Sequence, residues 1–525
     1  MDRIPVTVED FTEIKYLSDP RFSPDGKTIA YLVTQVRPDR SGYTCDLWVY
    51  DMASSSNRQV TTTGQVNGYF WDETHGLCFW RRSPEGTDLY QCADGLLGEK
   101  KMFSLPFSVN KIYPLSGERY ALTMTTDTQK NPARYHVLEE VPYCSNGHGL
   151  TAGQRTGLYI YDEKTGNLQK LTEEHADAGD FVYRNGILLF QATPWENYRT
   201  YLYGHGLYTY QVDSGEVRQI VRVGRINSFA LCFWKEDELL FSGIEDCLGK
   251  SMGQNSDFYT VNIHTGEINR FSDADMKIGY GGTGSDAKYG GGQGLCLGRD
   301  GVYFLAPVMD GTCINRLRFD GKVEKNITEA DGFAGSVESF DLFEDHLVCG
   351  KMVSNGVVEL YLDGRQITDF NGTYLQSREL STPEPIKFMS RDGVELHGFC
   401  MKPTGYVPGK RYPGILHIHG GPKTIFGDVF HHEMQLWTSN GFFVFYCNPR
   451  RQSLCGHSRT VGNRGLHGSD DFYRCDLGKI PGYRSLPGGG MRRLLWWVYD
   501  QLDHRTYQSI CCSMLAAVLC QYDQF

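Results

Sequence analysis

The sequence predicts an all-β seven-bladed β-propeller followed by a short α/β region. Three observations carry this. A self-similar strand–turn–strand segment recurs seven times before residue 370, glycine turns punctuate it, and after residue 380 the pattern changes to apolar strand, glycine turn and helix. The composition agrees: 525 residues, 40% hydrophobic and 22% charged, suit folded domains rather than disorder. Glycine is abundant, at 60 residues, alongside 32 Tyr and 28 Phe. These are the residues of tight turns and short strands.

The repeat runs from a small or acidic residue through Leu or Phe and an aromatic into a strand, turns, and ends a second strand near Thr. Copies begin at Asp46, Asp88, Gly157, Gly206, Asp257, Ile314 and Val358. Thr165-Gly166, Ser214-Gly215 and Thr265-Gly266 supply hairpin turns. Strand-like runs between copies (Gly76 to Trp80, Gly186 to Phe190, Glu238 to Phe241) raise the content to about four strands per unit, that of a propeller blade. One hairpin cannot bury its own apolar face, so the units must pack on each other. An array of β-sandwiches is the alternative. The segment Asp19 to Tyr31, turning at Pro24-Asp25-Gly26, fits the opening hairpin of the first blade. The wide gap between the second and third copies holds Tyr135 to Arg155, expected as an insertion between blades.

The net charge of -11 argues against a nucleic-acid partner, which needs a basic face. No apolar run approaches the ~18 residues of a membrane helix, and no secretory signal opens the chain, so neither a membrane nor a secreted location is expected and a cytoplasmic one is. The 16 cysteines contain no CxxC pair and read as mostly buried free thiols. No cofactor and no metal site are expected.

Beyond Ser381 to Pro385, a linker, a hairpin turns at Asp392-Gly393. Then come an apolar strand running into His419-Gly420-Gly421-Pro422, a helix-like stretch from Phe430 to Asn440 holding Gln435, and a strand from Gly441 ending in Asn448-Pro449-Arg450. Strand, glycine loop, helix, strand is an α/β pattern with a parallel sheet. The HGGP and NPR motifs behind seven blade-like repeats resemble the prolyl oligopeptidase family of serine peptidases, in its acylaminoacyl-peptidase-like branch, over roughly residues 1–450. The resemblance implies a propeller over 1–380, whose first ~15 residues pack on the second domain, and the start of an α/β-hydrolase domain over 381–450. It implies hydrolysis of short or N-blocked peptides, with peptide as the partner. It gives the oxyanion-hole role to Gly421, with Gly420 shaping the loop, and reads His419 as a turn-packing residue rather than a base. Backbone N–H groups of such a loop can meet the charge that builds on the carbonyl oxygen in acyl transfer.

After Arg450 the resemblance stops. Residues 451–525 show no alternating strands and no useful amphipathic helix. A reading frame one base later is informative. Trp496-Trp497-Val498 then forces Gly-Gly, because tryptophan has a single codon, and the neighbouring codons permit C-G-G-S-Y-G-G-F-M-T-N-W-I-I-G-H-T, a nucleophile elbow of the form G-x-S-x-G. The sequence therefore points to a frameshift near Arg450–Arg451, an out-of-frame and disordered tail over 451–525, and a truncated α/β-hydrolase domain. The Ser, Asp and His of a triad are then not encoded, and the chain as spelled is expected to be inactive. A divergent natural ending is one alternative. A propeller acting as a non-catalytic peptide- or protein-binding module is another.

Other motifs read as structural. Gly249-Lys250-Ser251-Met252-Gly253 matches G-x-S-x-G between blade strands, where Ser251 is a loop serine. Gly279 to Gly284 matches GxGxxG without a βαβ unit. His432-Glu433 opens like a zincin motif, but Leu436 stands where the second His must be. His417 and His419 share one strand face without a third ligand nearby, and Glu139-Glu140 reads as a solvated pair.

Overall fold

Alternating apolar residues and turn glycines organise most of the chain as short antiparallel meanders. The computed structural model describes residues 3–92, 98–127, 140, 144–145, 149–195, 204–235, 237–245, 255–279, 282–308, 310–327, 335–389, 395–419 and 424–448. The chain is mostly β. Seven four-stranded antiparallel sheets follow one another in sequence order, beginning at Lys15, Gly68, Lys111, Asp177, Ile226, Leu295 and Ser336.

Each repeat copy supplies the third and fourth strands of one sheet. Gln154–Asp162 and Leu168–Lys170 are the third and fourth strands of the third sheet; Gly206–Gln211 and Val217–Val221 are those of the fourth. Gly166 (φ +68°) and Gly215 (φ +72°) take the left-handed conformation that closes these hairpins at little steric cost. The aromatic residue of the repeat stacks on a phenylalanine paired with it in the second strand: Phe79–Tyr90, Phe190–Tyr208 and Phe241–Tyr259, with ring centroids 5.3, 5.3 and 5.7 Å apart. The terminal threonine also has a purpose. Hydroxyls of Thr61, Thr172 and Thr368 accept the backbone N–H of Leu47, Leu158 and Leu360, three equivalent positions in the third strand. The side chain continues a ladder that the shorter fourth strand has left.

Apolar clusters join every successive pair of sheets. Leu47 and Val49 meet Leu77 and Phe79; Phe70 and Trp80 meet Tyr120 and Leu122; Leu158 and Ile160 meet Leu188 and Phe190. Leu189 meets Phe241, Phe258 meets Phe304, and Ile314 meets Phe340. The seventh cluster returns to the start: Tyr31 and Ile29 of the first sheet pack with Val348, Met352 and Leu360 of the seventh. Among the described residues no sheet closes on itself, and no strand is exchanged between the first and seventh. That junction rests on side chains, reinforced where Phe22 N–H donates to Asp341 (2.8 Å) and Asn57 donates to the Ile367 carbonyl (2.6 Å).

The long segment between the second and third repeats corrects one expectation. It lies inside the third sheet, between the paired strands Arg119–Asp127 and Gln154–Asp162, and not between sheets. Much of it lies outside the described residues.

An eighth sheet holds strands Glu384–Met389, Glu395–Met401, Phe443–Cys447 and Gly414–His417 in that spatial order. Only the last pair is parallel, so the sheet is mixed rather than parallel. Phe443–Cys447 is buried on both faces, which explains its unbroken apolar run. Ile4–Pro5 pairs with Arg378–Glu379, Val6 N–H donates to Ser439 Oγ (3.1 Å), and His432 lies 2.9 Å from the Thr7 carbonyl, so the first residues bridge the array and the second region. Seven of the ten described cysteines are buried and all ten are free. Among the described residues no helix is long and apolar enough to cross a membrane.

Leu360→Ala, at the junction of the first and seventh sheets, is expected to lower stability by about 2–5 kcal/mol in urea denaturation. The exposed Val217→Ala should change it by no more than about 0.5 kcal/mol.

Candidate active site

The HGGP and NPR motifs lie at the ends of adjacent parallel strands. Gly414–His417 delivers His419; Phe443–Cys447 delivers Asn448. Gly420, Gly421 and Pro422 lie outside the described residues, as do Pro449, Arg450 and the whole of 451–525. The structure describes His419 and Asn448, one residue of each motif, and both converge on Phe426. The His419 ring packs edge-on against the Phe426 ring, with centroids 4.6 Å apart, consistent with a packing residue. Asn448, 1% exposed, grips the Phe426 backbone twice: its Oδ1 accepts the N–H (2.7 Å) and its Nδ2 donates to the carbonyl (2.8 Å). An asparagine is required because the same side chain must accept and donate.

Asn448 is itself held. Its Nδ2 donates to Asp310 Oδ1 (3.2 Å), and its N–H donates to the His397 carbonyl (3.0 Å). Asp310 belongs to a turn of the sixth sheet and also lies 3.0 Å from His397 Nδ1. The approach is close: a Cβ on Gly427 would stand 2.1 Å from the Asp310 carbonyl. One residue earlier, Ile425 exchanges backbone hydrogen bonds with Gly282 and Gly284 (2.9 and 2.7 Å). The GxGxxG segment therefore serves as a docking edge; Tyr280 and Gly281 within it lie outside the described residues.

The helix His432–Ser439 carries no cap of its own, since His431 occupies the capping position without a side-chain bond. Asp286, from the segment joining the fifth and sixth sheets, supplies it: its two carboxylate oxygens accept the N–H groups of His432 (2.6 Å) and Glu433 (2.8 Å). Burial works to raise the Asp286 carboxyl. The His431 imidazole 3.1 Å away and the two N–H groups outweigh burial and hold it below its ordinary range. Gln435, fully buried, accepts the Ser381 N–H (2.9 Å) and donates to the Ser381 carbonyl (2.9 Å) and Asn355 (3.0 Å), tying helix to linker. His417 stands among Phe426, His431 and Trp437; burial first, then the neighbouring histidines, push its imidazole down to about 4, so it is neutral near pH 7.

Sequence reasoning missed Asp286 and Asp310, which read as ordinary turn residues. One signal was available for the first: a helix opening with His431-His432 lacks the usual Ser, Thr, Asp or Asn cap. Sequence reasoning also misjudged Glu140. It is buried, ion-paired with Arg155, and accepts from Gly153 N–H (2.6 Å) and Trp195 Nε1 (3.2 Å). Its partner in the motif, Glu139, lies outside the described residues, as does Ser251. Among the described residues no group of three His, Cys, Asp or Glu side chains could hold a metal ion.

A mostly-β array followed by a strand–loop–helix–strand unit is also the fold of solved peptidases that the chain resembles. No family model matches the chain. It is 24% identical over 505 residues to the uncharacterized peptidase YuxL of Bacillus subtilis (strain 168), covering 89% of this chain and 74% of that protein. Its fold matches a Pyrococcus horikoshii acylaminoacyl peptidase with a TM-score of 0.73 at 19% identity, over 92% of this chain and 74% of that one. It also matches a puromycin hydrolase with a TM-score of 0.61 at 11% identity, over 92% and 76%. These neighbours belong to the prolyl oligopeptidase family, and the chain resembles that family, in its acylaminoacyl-peptidase-like branch, in motif and in fold.

Two outcomes follow. Asn448→Ala should leave the Phe426 N–H and carbonyl unpaired, cost about 1–3 kcal/mol for each group stranded, and speed hydrogen exchange at the Phe426 amide; Asn448→Asp should be worse, because it faces Asp310 with a second carboxylate. Asp286→Ala should cost about 0.5–2 kcal/mol and loosen exchange in the helix 432–439. Because the folded Asp286 carboxyl lies below its unfolded value, this advantage of the wild type should be complete above the ordinary carboxylate range, about pH 4, and vanish as pH falls through the lower folded value.

Proposed function

We propose that the chain is a serine peptidase of the prolyl oligopeptidase kind, acting by descent on short or N-blocked peptides, whose catalytic half is interrupted. The seven sheets are the blades of a β-propeller, and residues 381–450 are the start of an α/β-hydrolase domain. The observation that carries this reading is the convergence of His419 and Asn448 on Phe426. It fixes His419 and Phe426, the described residues that flank the HGGP segment, and oxyanion donors must be rigid before charge develops. Each such donor is worth about 3–4 kcal/mol to the transition state. The peptidase names of the relatives support the class.

Oxyanion donors without a nucleophile form no acyl-enzyme. The frame argument puts the elbow serine in a frame this chain does not use, so the chain as spelled is catalytically silent. Resequencing across codons 449–452 is expected to reveal a missing or extra base in the source DNA. The purified 525-residue chain should not react with a fluorophosphonate probe. A frame-restored chain should be labelled and should cleave an acylated peptide amide at least about 10³-fold faster. Stoichiometric labelling of the chain as spelled would overturn the proposal.

A further inference from the structure

A cavity of about 220 Å³ opens among the first, sixth and seventh sheets. It is smaller than the pockets that hold drug-sized ligands, about 300–1,000 Å³. Its polar lining is unusual in being partly unused. Ser339, 1% exposed, lines it, and its Oγ has no hydrogen-bond partner among the described residues. A buried hydroxyl left unmet is costly, so such a group marks a place where something else is bound.

The glycine run Gly290–Gly292 forms one wall. Its shape is fixed from outside, because Asp19 N–H donates to the Gly291 carbonyl (2.7 Å). Side chains are excluded at both ends of the run: a Cβ on Gly290 would lie 2.6 Å from Ser18 Oγ, and one on Gly292 would lie 2.4 Å from Ser339 Cβ. None of the three glycine N–H groups donates to another described residue. The wall thus carries three backbone N–H groups without a hydrogen-bond partner among the described residues.

The charges on the opposite side cancel. Lys288 Nζ donates to Glu338 Oε2 (2.8 Å) and to the Thr283 carbonyl (2.7 Å), while Glu338 Oε1 accepts from Ser336 (2.8 Å). An anion entering the cavity would face Glu338, and a cation would face Lys288. A ligand that is neutral yet both donates and accepts avoids either penalty, and the secondary amide is the commonest such group. Leu17, Leu305 and Val358 add an apolar patch suited to a small side chain.

We propose that this cavity binds the main chain of a short, uncharged peptide segment. The glycine N–H groups donate to a peptide carbonyl, Glu338 accepts from a peptide N–H through its remaining lone pairs, and the Ser339 hydroxyl completes the set. The proposal deepens the peptidase reading by assigning a peptide-holding subsite, but binding needs no triad, so the chain as spelled can be tested.

The test is saturation-transfer NMR and calorimetry on the full chain with N-acetyl-alanyl-alanine amide, with acetate and ethylammonium as charged competitors. Two variants locate the site. Gly291→Leu fills it: a Cβ there meets no atom within 4 Å. Ser339→Ala removes only the hydroxyl and preserves the fold if the larger change does not. The diamide is expected to bind, at least ten-fold more weakly to Gly291→Leu and several-fold more weakly to Ser339→Ala, with wild-type melting in Ser339→Ala. Failure of the folded chain to bind the diamide, equal binding by both variants, or tighter binding of acetate or ethylammonium than of the diamide overturns the proposal. Equal binding by the variants would leave the peptidase reading standing, since turnover by the frame-restored chain tests that separately.

Discussion

A four-stranded antiparallel meander has two apolar faces and no means of covering either. Everything in the first 370 residues answers that constraint. Each sheet lends one face to its predecessor and one to its successor, and the succession succeeds only because the seventh sheet finds the first. The repeat is therefore a packing requirement written into sequence. Its leucines fill the contacts between sheets, its aromatics stack across the second and third strands, and its threonines complete ladders at the fourth.

Contact between this array and the second region joins apolar packing to polar anchors. Val429 packs with Tyr31 and Leu360, Phe430 packs with Tyr16 and Tyr374, and most of the polar anchors meet backbone groups that would otherwise be buried unpaired. Asp286 caps a helix that has no cap, Asp310 braces the asparagine that holds the Phe426 backbone, and Gln435 satisfies the linker. Such anchors supply geometry more than energy. An apolar interface of the same extent would tolerate sliding, whereas two carboxylate oxygens on two adjacent N–H groups do not. The array thereby takes part in fixing Phe426 and the helix 432–439.

Much of the array was legible in the sequence because its signals are local. Strand alternation, Thr-Gly and Ser-Gly turns, and the Tyr–Phe pattern lie within a few residues of one another, and each repeat copy coincides with the third and fourth strands of a sheet. The insertion at 135–155 was misplaced because a gap between repeats looks the same whether it falls between sheets or between strands of one sheet; only the pairing of Asp127 with Gln154 distinguishes them. The parallel sheet expected after residue 380 proved mixed because the hairpin before it adds antiparallel strands, a matter of edge pairing that apolar runs do not record. Glu140 read as solvated for a similar reason: its partner Arg155 lies beyond a segment with no regular pattern.

By itself the sequence determined the repeat count and the resemblance carried by His419 and Asn448, since both depend on residue identity and spacing along the chain. The tertiary structure decided what those residues touch: that His419 and Asn448 meet at Phe426, that Asp286 and Asp310 reach across from another region, and that a buried serine faces a wall of glycines. The physical reason is range. Turn chemistry and strand alternation act over a few residues, while a cap, a clamp or a cavity is built from side chains more than a hundred positions apart, brought together only by packing.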